Sequence, residues 1–526
     1  CLRSLGDFVS TEDGTGIVHI SPTFGSDDFF VAGKNDIPPL MVMDAEGNPG
    51  PLVNKQGRFV DEVTDFAGRY VKDYGQEEER SVDIDIAIKL KEENKAFKVE
   101  KYEHSYPHCW RTDRPVLYYP LDSWFIRTTA AKSRLLELNE QINWKPASTG
   151  TGRFGNWLEN LVDWNLSRSR YWGIPLPVWS SEDGKERKCV GSVEELKAEA
   201  DKAVAAGVMS AETAATFFAE LDLHKPGVDD LVLVSESGQP MRRESDLIDV
   251  WFDSGSMPFA QWHYPFENQE LFRDNFPADF ISEGVDQTRG WFFTLHAIAV
   301  MLEDSVAFKN VISTGLLLDK DGVKMSKRKG NVIDPFKTIE TYGADATRWY
   351  MMGNSMPWEN LRFDLKGVQE VQRKYFGTLF NTYNFFALYA NLADFQYGQA
   401  SAVKDRSELD QWILSVLNSL IKEVQGYLDD YEPTRAVRAM DYFVNEQLSN
   451  WYVRLARRRF WDGDTAAFET LYECLKAVAV MMSPIAPFFS ERLYRDLTQT
   501  SESVHLAQFP TADEACIDAA AESRMD

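Results

Sequence analysis

Two rhythms of apolar and polar positions divide the chain. Up to about residue 365 the apolar runs are short and broken by Gly, Pro, Asn and Asp. Beyond it Gly and Pro thin out and a helical period takes over. Residues 409–427, 433–460 and 466–482 each predict an amphipathic helix, and Ser483-Pro484-Ile485-Ala486-Pro487 ends the third before another starts at Phe488. In the earlier part, Ala278-Asp279-Phe280-Ile281 predicts a short strand, 283–290 a turn and 291–302 a buried helix. Residues 311–318 predict the next strand, ended by the turn sequence Asp319-Lys320-Asp321-Gly322. Further upstream, Ile17-Val18-His19-Ile20 predicts a strand, with Ser26 or Asp27 capping the helix after it. Residues 83–90 predict a surface helix, Leu117-Tyr118-Tyr119 and Trp124-Phe125-Ile126 strand pieces, and 192–223 an acidic helical insertion. Residues 246–256 read as an apolar strand end closed by a Gly/Ser turn. The fold class that follows is α/β with an all-α C-terminal region.

At 526 residues the chain has room for two to four domains and a large core. Its 44% hydrophobic and 26% charged content is that of a globular protein. A net charge of -26 argues against a protein that coats nucleic acid through general basicity, so any such contact must come from local basic patches. The five cysteines are far apart and odd in number, which fits a reducing cytoplasm rather than a disulfide framework. There is no signal-peptide pattern and no apolar run long enough to span a membrane.

Candidate chemistry concentrates between Glu283 and Asn331. The order strand, turn, helix places Asp286 near a helix N-terminus, where free N–H groups favour anionic ligands. Two consecutive strand-to-helix turns on one sheet are where doubly wound folds bind nucleotides. The run Lys324-Met325-Ser326-Lys327-Arg328-Lys329, hinged by Gly322 and Gly330, suits a polyphosphate whose charge shifts in a transition state. A solvated basic hairpin is the alternative. In the 163–175 stretch, arginines and aromatics serve either nucleic acid or a core with buried ion pairs. In the helical part, Arg454, Arg457 and Arg458 share one stripe, with Tyr452, Val453, Ala456 and Phe460 opposite. That stripe is either a phosphate contact or a solvated face. Arg459 falls on the apolar side and is therefore expected to pair with a buried carboxylate.

The run Glu283-Gly284-Val285-Asp286-Gln287-Thr288-Arg289-Gly290-Trp291 and the Lys324-Met325-Ser326-Lys327-Arg328 loop together resemble the second half of the active site of class I aminoacyl-tRNA synthetases, with Arg328 where Ser is commoner. The first run is similar to the isoleucyl-tRNA synthetase family in particular, and the resemblance extends over nearly the whole chain. It implies the second half of a Rossmann-like catalytic domain over 101–365, with the helical insertion near 192–223. It further implies part of a β-rich editing insertion over 1–100 and a helix-bundle anticodon-binding domain over 366–526. None of the seven histidines lies in the His-x-Gly-His signature of that class, and the first residue is Cys1. The expectation is a piece without the first half of the nucleotide fold and without the C-terminal end, inactive in aminoacylation by itself.

Carried over residue by residue, the resemblance makes Trp251 and Trp291 the walls of an aliphatic side-chain pocket. Glu283 and Gly284 meet the adenylate, and Asp286 and Gln287 position the amino-acid ammonium or the ribose. Lys324 and Lys327 hold phosphates as the catalytic pair, with Ser326 beside Lys327 at ATP. His19 and Asp28 belong to editing, Asp28 holding the ammonium of a mischarged amino acid. Arg454, Arg457 and Arg458 are the tRNA contacts. Isoleucine against valine is the standard example of weak discrimination by one methylene, which is why editing is expected. The implied reaction is ATP-dependent formation of isoleucyl-adenylate, transfer to tRNA(Ile), and hydrolysis of Val-tRNA(Ile). ATP with Mg²⁺ is the expected cofactor, and a cytoplasmic monomer without membrane contact the expected state. Zinc is not expected: some relatives carry further cysteines where Thr112, Ser180 and Ser181 stand, so four soft ligands are lacking around Cys109. A deacylase for mischarged tRNA would need an intact editing pocket, and a tRNA-binding scaffold would have lost the phosphate loop. A valine-type synthetase would not carry Gln287 to Trp291.

Overall fold

The computed structural model describes residues 9–12, 16–43, 47, 49–72, 80–101, 103, 105–109, 112–326, 329–398 and 400–525. The expectations about Cys1, the turn at Asp13-Gly14-Thr15, His104, Trp110, Arg111, Lys327 and Arg328 lie outside these residues. The chain forms two compact units that divide between Trp124 and Phe125.

In the first unit, α1 covers Ser26–Lys34 and α2 covers Val82–Glu92. The surface helix predicted over 83–90 is thus present, capped by the Ser81 hydroxyl on Asp83 N–H. Asp85 on α2 pairs with Arg69 and Arg80, which holds the carboxyl below its usual range, the Arg69 hydrogen bond first. Three local expectations are corrected here. Ile17 to Ile20 and Leu117 to Tyr119 form no strand, and Gly25, not Ser26 or Asp27, is the N-cap of α1. The Asp28 carboxylate turns back to accept the Ser21 N–H at 2.8 Å instead. Ile17 and His19 are exposed, so apolar alternation there does not mark a core face.

The second unit is built on a parallel sheet and a helical body. In the sheet, β1 (Asn143–Lys145) is separated from the later strands by a small subdomain. That subdomain comprises β2 (Val178–Ser181), β3 (Arg187–Cys189), α3 (Val193–Ala205), α4 (Ala211–Glu220), β4 (Leu233–Val234) and β5 (Pro240–Arg243). The helices predicted over 192–223 therefore pack on a four-stranded antiparallel sheet, around their own core of Trp179, Leu196, Phe217 and Leu231.

Next come α5 (Val250–Gly255), β6 (Ala278–Gly284), α6 (Trp291–Glu303), β7 (Phe308–Thr314), β8 (Leu317–Leu318) and β9 (Leu361–Arg362). The main sheet has the order β6-β7-β1, all parallel, with Gly284 opposite Thr314 and Val311 opposite Trp144. Helix α6 crosses between β6 and β7 and is buried from Phe292 to Val300, as its largely apolar sequence predicts, with Thr294 and His296 buried among the apolar residues. Its core partners include Leu135, Trp144, Phe154, Leu158, Phe308 and Val311.

The helical body contains α7 (Gly377–Leu392), α8 (Glu408–Asp429), α9 (Pro433–Tyr442), α10 (Arg454–Trp461), α11 (Thr465–Met482) and α12 (Pro487–Thr498). The single helix predicted over 433–460 is interrupted by a π segment at Phe443–Val453, so α9 and α10 are its two α-helical ends. The turn between α8 and α9 seats on the main sheet. Lys145 Nζ lies 2.8 Å from Asp430, and the Phe280 and Tyr431 rings stack with centroids 5.1 Å apart. Among the described residues, no helix is long and apolar enough to cross a membrane.

Candidate active site

The Val285–Arg289 segment leaves β6 as a single 3₁₀ turn and delivers the chain to α6. Thr288 anchors it. The hydroxyl is fully buried, donates to Val285 O at 2.8 Å and accepts from Arg153 Nε at 2.9 Å. Gln287 faces the other way. Its Oε1 accepts the Trp291 N–H at 3.0 Å, capping α6, and its Nε2 donates to Asp286 at 3.1 Å. Glu283 and Asp286 are exposed at the C-terminal end of β6. The turn thus presents two carboxylates and leaves an amide between them and the helix.

Trp251 and Trp291 both link α5 to the start of α6. A Cβ built on Gly290 would lie 2.7 Å from Gln287 Oε1 and 3.1 Å from Trp251 Cη2, so any side chain there would press on the Trp251 ring and on the Gln287 amide. Trp291 donates from Nε1 to Ser254 O at 2.9 Å, tying α6 to the end of α5. Trp251 is 40% exposed, at a rim rather than in a core. Its setting differs from the predicted strand end. The strand stops at Ile248, and Asp249 caps α5 by accepting the Trp251 N–H at 3.3 Å. Asp249 is itself buried and accepts from Arg168 at 2.8 Å and Trp164 Nε1 at 3.2 Å. The 163–175 stretch is therefore divided. Trp164 and Arg168 are structural, whereas Tyr171 and Trp172 are each 72% exposed. Nearby, burial and the neighbouring Asp249 push the Asp253 carboxyl up.

The basic loop leaves the same end of the sheet. From Thr314, opposite Gly284, the chain passes Gly315 and β8 to the turn at Asp319. A Cβ on Gly315 would lie 2.3 Å from Glu359 O, so the chain can run there only as glycine. Lys324 and Lys329 are exposed, Ser326 is half-buried, and Met325 packs against the helical core. Lys327 lies outside the described residues.

Elsewhere, Arg454, Arg457 and Arg458 are exposed on α10, and Tyr452, Val453, Ala456 and Phe460 are buried opposite. Arg459 pairs with buried Asp410, as its place on the apolar face predicts. His19 is exposed and Asp28 half-buried in the first unit. A cavity of about 520 Å³ beside the small subdomain is lined by Leu176, Trp179, Leu196, Val228 and Ile248, and by no residue from 278–331. Among the described residues no group of three or more His, Cys, Asp or Glu is placed to hold a metal ion. Thr288, Arg153 and Asp249 support the site without a local pattern that announces them, and Arg168 takes the ion-pair alternative of the 163–175 stretch. Their partners lie 81 to 135 residues away in sequence.

Comparisons with known proteins place the chain in a family and a fold. Residues 54–364 match the family of tRNA synthetases class I (I, L, M and V), and residues 410–526 match the anticodon-binding domain of tRNA ligase. Among curated relatives, the isoleucine–tRNA ligase of Cytophaga hutchinsonii is 64% identical across 99% of the chain and 49% of that protein. Those of Porphyromonas gingivalis and Clostridium acetobutylicum are 59% and 46% identical, again over 99% of the chain and over 49% and 48% of their own lengths. The chain spans about half the length of the curated relatives it matches. Two solved structures share the fold. A LeuRS–tRNA–LeuAMS ternary complex from Agrobacterium radiobacter has TM-score 0.53 at 19% identity, covering 71% of this chain and 46% of that one. Mycobacterium tuberculosis methionyl-tRNA synthetase with methionyl-adenylate has TM-score 0.51 at 18% identity, covering 73% and 65%. With a catalytic-family match over more than half of its 526 residues, joined to an anticodon-binding region built as a helical body, this chain belongs to the class I tRNA synthetases.

Proposed function

We propose that the chain is part of an isoleucine–tRNA ligase and carries the second half of its catalytic domain between part of an editing insertion and an anticodon-binding region. One observation carries the reading: the Glu283–Trp291 turn and the segment that leads to Lys324 leave the same end of two neighbouring parallel strands, with the Trp251 ring against Gly290 and the Trp291 indole bonded to Ser254 beside them. An isoleucine side chain between Trp251 and Trp291 would meet flat apolar walls. Asp286 and Gln287 would hold the ammonium or ribose, and Glu283 and Gly284 the adenylate. Lys324 and Lys327, with Ser326, would meet the phosphates, and Mg²⁺ enters with ATP as part of the substrate.

The substrate carboxylate attacks the α-phosphorus, the bond to the β-phosphate oxygen breaks, and pyrophosphate leaves. The terminal ribose hydroxyl of tRNA(Ile) then attacks the adenylate carbonyl and AMP leaves. The chain supplies position and charge rather than a nucleophile. Residues 1–100 are proposed as part of an editing domain acting on Val-tRNA(Ile) through His19 and Asp28, 101–365 as catalytic, and 366–526 as anticodon-binding. Arg454, Arg457 and Arg458 are the proposed phosphate contacts to tRNA. A cytoplasmic monomer completes the reading.

The test is amino-acid-dependent exchange of pyrophosphate into ATP. A whole-length protein containing this chain should exchange with isoleucine best, and Lys327→Ala should slow it with little loss of isoleucine binding. The 526-residue chain alone should not exchange. Preference for valine, or an unchanged Lys327→Ala rate, would refute the corresponding assignment.

A further inference from the structure

Asp319 and Asn331 close the basic loop from its two ends. Asp319 Oδ1 accepts the backbone N–H of Asp321 at 3.0 Å and of Val323 at 2.8 Å. Its Oδ2 accepts from Asn331 Nδ2 at 2.8 Å. The same Asn331 nitrogen donates to Lys324 O at 3.3 Å, and Asn331 Oδ1 accepts the Ser326 N–H at 2.9 Å. One carboxylate and one amide therefore tie together the entrance, the middle and the exit of the loop.

Both ends are grounded in rigid structure. Asp319 follows β8, which pairs in parallel with β9, and Leu318 also bridges Lys324. Met325 and Ile333 pack against the helical core. The donors around Asp319 hold its carboxyl below the usual range, the Asn331 amide first and the Val323 N–H next. Within this frame Lys324 and Lys329 are exposed, and the Lys329 charge acts on the Asp319 carboxylate.

We infer that Asp319 and Asn331 are positioning residues that set the shape in which the loop presents its lysines to the ATP polyphosphate. This rests on the ATP-dependent reading above. A lysine is a point charge on a flexible stem, so the backbone that carries it decides where the charge can act. A loop ordered only at the moment of reaction would lose rate through that ordering, and a misplacement of about 1 Å can cost about 10²-fold. The clamp does that ordering in advance, and neither residue needs to touch substrate.

The experiment has two arms. In the first, amide hydrogen exchange is followed in the 526-residue chain without ATP. Asn331→Ala and Asp319→Asn should each speed exchange at the Val323 and Ser326 amides by about tenfold or more, and leave α8 and α11 unchanged. Unchanged exchange at both amides would overturn the clamp. In the second, isoleucine-dependent pyrophosphate exchange is measured in the whole-length protein. Each variant should lower the rate by about 10- to 100-fold with an unchanged KM for isoleucine. The double variant Asp319→Asn, Asn331→Asp, which reverses donor and acceptor, should recover much of it. A loosened loop with a wild-type rate would overturn the positioning role. Wild-type protein that fails to exchange with any amino acid would instead overturn the functional reading on which the role rests.

Discussion

The Arg459 guanidinium grips the Asp410 carboxylate with two parallel hydrogen bonds, Nη1 to Oδ1 at 2.8 Å and Nη2 to Oδ2 at 2.6 Å, and Asp410 is fully buried. The Tyr452 hydroxyl adds a third donor at 2.6 Å and Ser407 a fourth at 2.8 Å. These contacts lock the start of α8 to α10. Removing one partner strands the other charge, so Asp410→Ala should destabilise the helical body by about 3–5 kcal/mol. Asp410→Leu with Arg459→Met should cost much less, because packing replaces the pair. Urea unfolding of wild type, Asp410→Ala, Asp410→Leu, Arg459→Met and the double variant checks this. Losses that simply add in the double variant would show that the two side chains are not coupled.

His296 provides a pH test. Its Nε2–H donates to Leu135 O at 2.9 Å, while Nδ1 is buried with no partner. Burial pushes the imidazole down to about 4. The unfolded chain titrates near 6.5, so in the window between roughly pH 6.5 and pH 4 the unfolded state holds the extra proton. The contribution is complete above that window and falls as pH falls through it, by about 3 kcal/mol in all. His296→Gln keeps an N–H for Leu135 O and should flatten this part of the slope. The difference in unfolding midpoint between wild type and variant at about pH 7 and about pH 5 measures it. A constant difference would show that His296 does not titrate on unfolding.

Trp251 and Gly290 make the pocket assignment testable. In the whole-length protein, Trp251→Ala should raise the KM for isoleucine in pyrophosphate exchange by about tenfold or more, the loss expected for one apolar wall. Gly290→Ala puts a methyl 3.1 Å from the Trp251 ring and should shift the same constant by less. If Trp251→Ala leaves the KM for isoleucine unaltered, the indole is not a wall of the pocket.

Asp28 has a local role that must be separated from the proposed editing one. Its carboxylate accepts the Ser21 N–H at 2.8 Å. Asp28→Asn keeps an acceptor and removes the charge, whereas Asp28→Ala removes both. An ammonium anchor requires the charge, so both variants of the whole-length protein should accumulate Val-tRNA while charging isoleucine normally. Accumulation in Asp28→Ala alone would assign the effect to the Ser21 contact.

What was legible followed from periodicity. A turn of about 100° per residue places Arg459 among Tyr452, Ala456 and Phe460, so its burial and its need for a carboxylate could be read directly. That the partner is Asp410, 49 residues away, could not. The turn at Glu283–Gly290 was legible because glycine, acid and an apolar helix follow one another in a few residues. Trp251 was misplaced because a short apolar run fits strand and helix alike, and the Asp249 cap decides for helix. Ile17 to Ile20 alternates like a strand, but a strand exists only where another segment pairs with it.

The sequence by itself determined the class of fold, the helical period of the C-terminal region and the chemistry gathered between Glu283 and Asn331, since these depend on neighbours a few residues apart. Only the tertiary structure decided that Trp251 meets Gly290, that Arg153 holds Thr288, and that Asp319 and Asn331 close one loop. Such contacts depend on where distant segments are brought by packing, and no local spacing records that.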